Sequence, residues 1–179
     1  MLTVHAIEKS EIYGHGKRAV IWFSGCSLHC KGCINSYLWD KRNGRIYTVE
    51  RLFDEIKSYG DICGVTFIGG EPLEQGKDLL VLSNMIRKAN LDVVLFTGYE
   101  LKELRGPKKK IADKAVVIIY GRYIEELRDT SLLLRGSSNQ KILVRDNALK
   151  EFYANECRQV EIEITGNSIK YLGFPEDFI

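Results

Sequence analysis

From Arg18 to Val144 the chain alternates short apolar runs with segments of helical spacing, and this alternation constrains its fold most. The runs are Arg18–Ser24, Val65–Ile68, Asp92–Phe96, Ala115–Ile119 and Lys141–Val144, each of strand length and rich in Val, Ile and Phe. Between them, Val49–Tyr59 places Leu52, Phe53, Ile56 and Tyr59 on one helical face. Thr48 is its N-cap, with Glu50 and Glu55 toward the favourable N-terminal half. Lys77–Ala89 is a second amphipathic helix and Glu100–Leu104 a short third. Buried strands separated by helices are the pattern of βαβ units and a parallel sheet. Leu2–Ile7 predicts an added edge strand, and Val160–Ile164 with Ile169–Leu172, joined by Thr165-Gly-Asn-Ser168, reads as a hairpin. The expectation is one α/β domain over residues 1–179. It is an open, partial (βα) barrel with a mainly parallel sheet and a C-terminal hairpin.

At 179 residues the chain buries a core without disulfide staples. An apolar share of 45%, a charged share of 28% and a net charge of +2 point to an ordinary globule and to no nucleic-acid partner in particular. The densest basic run, Lys108–Lys110 after Gly106-Pro107, reads as a solvated loop. No apolar stretch approaches the roughly 20 residues of a membrane span, and Met-Leu-Thr-Val-His-Ala-Ile-Glu8 lacks the pattern of a secretory signal. No repeat or low-complexity linker divides the chain.

In open α/β sheets, ligands gather at the carboxyl ends of the strands, and the unusual residues fall there. The first strand runs into Gly25-Cys-Ser-Leu-His-Cys-Lys-Gly-Cys33, the second into Gly69-Gly70-Glu71-Pro72. The third runs into Thr97-Gly98-Tyr99, the fourth into Gly121-Arg122-Tyr123, and Gly136-Ser-Ser-Asn-Gln140 precedes the fifth. Taken singly, each glycine segment is also a plain turn, and Ser-Ser-Asn also suits a cap. Their shared edge beside three thiols argues for a site. Of five cysteines only Cys26, Cys30 and Cys33 cluster. An odd trio without a secretory signal is metal-binding or catalytic more often than cross-linked. Three thiolates are one short of the usual four, so a four-iron cluster held here keeps one iron open to a small molecule. Zinc with His29 as fourth ligand is the competing reading, although adjacent His29 and Cys30 rarely turn inward together without strain. Cys63 precedes an apolar run and reads as a buried core thiol; Cys157 is isolated on a polar segment. His5 reads as structural and His15, in Gly14-His-Gly16, as a loop residue.

These residues carry a resemblance. The Cys-x3-Cys-x2-Cys loop after a first strand, with Gly-Gly-Glu-Pro after the second, resembles the radical S-adenosylmethionine (SAM) superfamily. Phe23–Cys33 with Asn35 and Trp39, Thr66–Gln75, Phe96–Glu100, Gly121–Asp129 and Leu134–Ile142 narrow the likeness. It is to activating enzymes of glycyl-radical enzymes, and within them to the activating proteins of anaerobic ribonucleoside-triphosphate reductases. It extends from about residue 14 to Gly173-Phe-Pro175, most of the chain.

The resemblance implies one [4Fe-4S] cluster on Cys26, Cys30 and Cys33. Its open iron chelates the amino and carboxylate groups of SAM, and one electron splits SAM into methionine and a 5′-deoxyadenosyl radical. That radical takes a hydrogen atom from a glycine of the partner reductase. By the same analogy Gly69, Gly70, Glu71 and Pro72 serve the methionine ammonium, and Gly98, Asn139 and Gln140 the ribose or methionine part. A flavodoxin-type electron donor, a homodimer and an anaerobic cytoplasm are family-level expectations. No membrane or nucleic acid is implied.

The chain departs from that family at Tyr120, where an acidic residue usually precedes the glycine of Gly121-Arg-Tyr123. Gly32 agrees with it, where other superfamily members carry an aromatic. With no second cysteine-rich segment, no ferredoxin-like cluster is expected. The residues leave two other functions open: a small radical SAM enzyme acting on a nucleotide-like or peptide substrate, similar to 7-carboxy-7-deazaguanine synthase, and a non-catalytic zinc or electron-transfer module.

Overall fold

The computed structural model describes residues 1–154, 160–166 and 168–173. Seven strands form one open sheet: β1 (Leu2–Ser10), β2 (Arg18–Phe23), β3 (Arg45–Tyr47), β4 (Gly64–Gly69), β5 (Asp92–Thr97), β6 (Val117–Tyr120) and β7 (Lys141–Val144). Their order is β3-β1-β2-β4-β5-β6-β7. The central strands β2, β4, β5 and β6 run parallel, in register from Arg18↔Gly64 and Gly64↔Asp92 onward. The outer strands β1, β3 and β7 are antiparallel to their neighbours. The fold is therefore mixed α/β with a mainly parallel core that does not close, as expected.

Period-two alternation explains how the sheet buries both faces. On one face Ala19, Ile21, Phe23, Val65, Phe67, Val93, Leu95 and Ile118 share a core with the helices. These are α1 (Val49–Ser58), α2 (Lys77–Lys88) and α3 (Gly106–Ala112), which contribute Leu52, Ile56, Leu79, Leu82, Ile86 and Ile111. The Thr48 hydroxyl caps α1 by accepting from Arg51 N–H at 3.2 Å. On the opposite face Val94, Val117 and Ile119 meet Leu133 and Tyr153, the latter from α4 (Lys150–Ala154). The cavity opens at the carboxyl half of that face, beside Phe96 and Ile119.

Four expectations change. The N-terminal strand is not an edge: the unforeseen three-residue β3 pairs outside it through Leu2↔Tyr47 and Val4↔Arg45. Strand β7 is antiparallel to β6, which is why the segment before it reaches the same edge as the loops after the parallel strands. Lys108–Lys110 is helical, in α3, because Pro107 at its first turn needs no N–H partner there. Glu100–Leu104 tightens to a single 3-10 turn at Leu101–Glu103. The tail hairpin forms as expected from β8 (Glu161–Thr165) and β9 (Ser168–Leu172), outside the main sheet. Cys157, Phe174 and Pro175 lie outside the described residues.

Candidate metal centre and ligand cavity

The cysteine loop is built backward onto the chain that follows it. Gly25 N–H donates to Leu38 O at 2.8 Å, Cys26 N–H to Trp39 O at 3.1 Å, and Cys33 N–H to Cys30 O at 3.1 Å. This places the three thiols, all free and partly buried, on one wall of a cavity of about 230 Å³. Apolar side chains, among them Trp22, Leu28, Ile68, Phe96, Ile119 and Leu133, make up much of the rest.

Of the residues expected around the ligand, Gly69, Gly70, Glu71, Gly98 and Gln140 line this cavity; Pro72 and Asn139 do not. Pro72 is buried at the start of the 3-10 turn Pro72–Gln75. Asn139 Nδ2 donates to Arg122 O at 2.8 Å, bracing the neighbouring loop from behind. Gln140 is a brace as well: its Oε1 accepts from Gly136 N–H at 2.9 Å and its Nε2 donates to Gly121 O at 3.0 Å.

Gly69 has φ +111°, and a Cβ there would stand 2.5 Å from the backbone N and O of Phe23. A Cβ on Gly70 would stand 2.5 Å from Gly25 O. Only glycine lets the second loop lie this close against the first. Gly70 N–H donates to Phe23 O at 2.8 Å and Glu71 N–H to Gly25 O at 2.9 Å.

Among the described residues, Glu71 is the one acid buried in the cavity wall. Its Oε1 accepts from Leu73 N–H at 3.0 Å and Thr97 Oγ1 at 2.9 Å, and its Oε2 from Gly98 N–H at 2.8 Å. Burial pushes its pKa up from 4.5 to about 7, while those three donors hold it from rising further. A raised acid pKa means the fold keeps a proton that the unfolded chain has released. Glu71 therefore withdraws up to about 3 kcal/mol of stability as pH rises from 4.5 to about 7. Glu71→Gln removes that slope and sets an amide N–H₂ against an N–H donor, costing about 1–3 kcal/mol at low pH. Anaerobic chemical denaturation from pH 4.5 to 8 checks both; a variant curve parallel to wild type would refute the assignment.

The loop offers three thiols, which suits a cluster with one open iron better than a closed, four-ligand zinc set. His29 does not complete a zinc set: it is exposed, has φ +45°, and its ring lies 4.7 Å from that of Trp39. Burial pushes the Cys26 thiol up to about 11, with the Glu71 carboxylate adding to the shift, and burial also raises Cys30. Protonated, these two thiols are poor nucleophiles.

Two readings of single residues need correction. Cys63 is not a core thiol but an exposed one, and Arg18 Nη1 donates to its Sγ at 3.5 Å. Nη1 also stands 3.4 Å from His15 Nε2, so a guanidinium already fills the space among His15, Cys63 and Asp92. His15 is in a loop, as expected, but is held on both ring nitrogens: Nδ1 at 2.9 Å from Tyr153 OH and Nε2 at 2.9 Å from Asp92 Oδ2. His5 bonds Asn43 O at 2.7 Å through Nδ1. Tyr120, the departure from the family pattern, packs on the helix-covered face, while Ile119 and Gly121 on either side of it line the cavity. The altered position therefore does not touch the cavity.

Sequence reasoning singled out none of Tyr13, Arg18 and Glu74. Tyr13 lines the cavity, and burial pushes its hydroxyl up to about 12. Tyr123 lines the cavity together with Cys30. Glu74 carried a readable signal, since it follows Glu71 by three residues and so returns to the same side of a 3-10 turn.

Residues 12–143 match the family model of the 4Fe-4S single cluster domain. The anaerobic ribonucleoside-triphosphate reductase-activating protein of Escherichia coli K12 is 32% identical over 139 residues, covering 73% of this chain and 90% of that protein. The protein of the same name from enterobacteria phage T4 is 35% identical over 141 residues, covering 73% and 86%. The crystal structure of QueE from Escherichia coli is similar at a TM-score of 0.47 and 17% identity, over 54% of this chain and 52% of that one.

The chain carries a 4Fe-4S single cluster domain. It belongs to the family of the anaerobic ribonucleoside-triphosphate reductase-activating proteins. Among its described residues no helix is long and apolar enough to cross a membrane.

Proposed function

We propose that the chain is a radical SAM activase that cleaves SAM reductively and generates a glycyl radical on an anaerobic ribonucleoside-triphosphate reductase. One observation carries this reading: the three thiols and the glycine turn Gly69–Glu71 line the same largely apolar cavity. When bound, a four-iron cluster supplies an open iron that chelates the amino and carboxylate groups of SAM and the electron that splits its sulfur–carbon bond. Cys26, Cys30 and Cys33 would hold that cluster. The N–H groups of Gly70 and Glu71 are spent on Phe23 and Gly25, and Glu71 O accepts from Glu74 N–H, so the turn would meet a ligand with the carbonyl oxygens of Gly69 and Gly70. Acceptors are the sign that a methionine ammonium needs. Glu71 fixes the loop after β5 against this turn through Thr97 and Gly98. Trp22, Ile68, Phe96 and Ile119 exclude water, which a site producing a primary carbon radical requires. The reductase docks as a protein substrate, with an electron donor of the flavodoxin type, in the cytoplasm of an organism that meets anaerobic conditions.

The test is the EPR spectrum of anaerobically prepared, reduced protein with and without SAM, then with SAM and the reductase. The expected results are a cluster signal that SAM changes, release of 5′-deoxyadenosine, and a glycyl-radical doublet. Zinc in place of iron and sulfide, or no 5′-deoxyadenosine under strong reduction, ends the proposal. SAM cleavage without the doublet assigns a different substrate.

A further inference from the structure

The cysteine loop meets the second loop on both sides of Cys26. Before it, Gly25 O accepts from Glu71 N–H at 2.9 Å. After it, Ser27 N–H donates to Glu74 Oε2 at 3.0 Å, and Ser27 Oγ donates to Glu74 Oε1. The same Oε1 accepts from Tyr99 OH at 2.9 Å. Tyr99 follows Gly98 of the cavity wall, and Lys108 Nζ lies 3.7 Å from the centre of its ring. Glu74 thus ties together the cysteine loop, the turn after Gly69–Glu71 and the loop after β5. Cys33 N–H, by contrast, bonds Cys30 O within the cysteine loop itself.

We propose that Glu74 is a positioning residue, whose carboxylate holds the Cys26 side of the cysteine loop at its working distance from Gly69–Glu71. The inference rests on the activase reading for what that distance serves, the seating of SAM between the thiol-held centre and the glycine turn. Small displacements matter there, because a misplacement of about 1 Å costs on the order of 100-fold in rate. The carboxylate acts through hydrogen bonds rather than through charge. In Glu74→Gln one amide oxygen still accepts from Ser27 N–H, and the Ser27 and Tyr99 hydroxyls can turn to accept from the amide N–H₂. In Glu74→Ala every tie is lost.

Two measurements on full-length, cluster-loaded protein test this. The first is amide hydrogen exchange over residues 26–33. Glu74→Ala is expected to speed exchange at Ser27 about tenfold with iron and sulfide content unchanged, and Glu74→Gln to restore protection. The second is the SAM concentration at the midpoint of the EPR change, expected to rise about tenfold in Glu74→Ala and to return in Glu74→Gln. Unchanged exchange in Glu74→Ala overturns the clamp. So does an unchanged midpoint, and so does a Glu74→Gln variant as impaired as the alanine. Wild-type protein whose EPR signal ignores SAM overturns the activase reading instead, and the exchange result alone then decides whether Glu74 holds the loop.

Discussion

Cys30→Ala protein, isolated without oxygen, will hold iron and sulfide only at background and will cleave no SAM, whereas Cys63→Ala will match wild type in both. The physical basis is ligand number. Three thiolates already leave one iron of a four-iron cluster without a protein ligand, and two leave half of the cluster to solvent. His29 does not replace Cys30, because it is exposed and turned onto Trp39. Cys63 lies at the start of β4, the amino end of a parallel strand, whereas the loop thiols lie past the carboxyl end of β2. Its removal deletes weak bonds to His15 O and Lys17 O at 3.3 Å each and the one from Arg18 Nη1 at 3.5 Å, a change of about 1 kcal/mol or less. Cys157→Ala is expected to retain the cluster too. Iron analysis, sulfide analysis and 5′-deoxyadenosine release decide the matter, and a cluster retained in Cys30→Ala or lost in Cys63→Ala would show that other ligands hold it.

The second large effect lies at the opposite end of the sheet. Arg18 is wholly buried at the amino end of β2, and its guanidinium is paired with Asp92 Oδ1. Its Nε donates to Thr66 Oγ1 at 2.9 Å, Nη1 to His15 O at 3.0 Å and Nη2 to Val65 O at 3.2 Å. Thr66 Oγ1 in turn donates to Tyr13 O at 2.8 Å, so this network seats the segment that forms the Ile12–Tyr13 wall of the cavity. Asp92→Asn leaves the buried cation without its counter-charge, which costs about 3–5 kcal/mol. For a chain of this size that lowers Tm by on the order of 10 °C. Partial burial alone would raise the Asp92 carboxyl, but the His15 hydrogen bond and the Arg18 charge hold it below the usual carboxylate range. A depressed acid pKa contributes stability above the unfolded value of 3.8 and loses it as pH falls through the folded one. Acid should therefore narrow the gap between wild type and Asp92→Asn. Thermal melts at neutral and acid pH check this, and a neutral-pH Tm within about 2 °C of wild type would mean that backbone carbonyls alone satisfy Arg18.

Much of the fold was legible because its determinants are local. Val65–Ile68 and Asp92–Phe96 announce buried strands by composition, and Thr48 announces a helix start by its side-chain oxygen. The antiparallel run of β7 was not legible, since four apolar residues read the same in either direction. Nor was β3, whose three residues pair only because β1 offers them an edge. The exposure of Cys63 was hidden for a similar reason: it depends on what the segment around His15 covers, some 48 residues earlier in the chain.

The amino-acid sequence alone determined the thiol trio, its spacing, the glycines after each parallel strand and the family they indicate, because those relations span a few residues or recur with a strand's period. Only the tertiary structure decided that Tyr120 faces away from the cavity, that Gln140 and Asn139 brace loops, and that Arg18 fills the space among His15, Cys63 and Asp92. The reason is distance along the chain: those partners stand up to about 75 residues apart, and no local pattern encodes which of many polar groups will meet once the sheet has assembled.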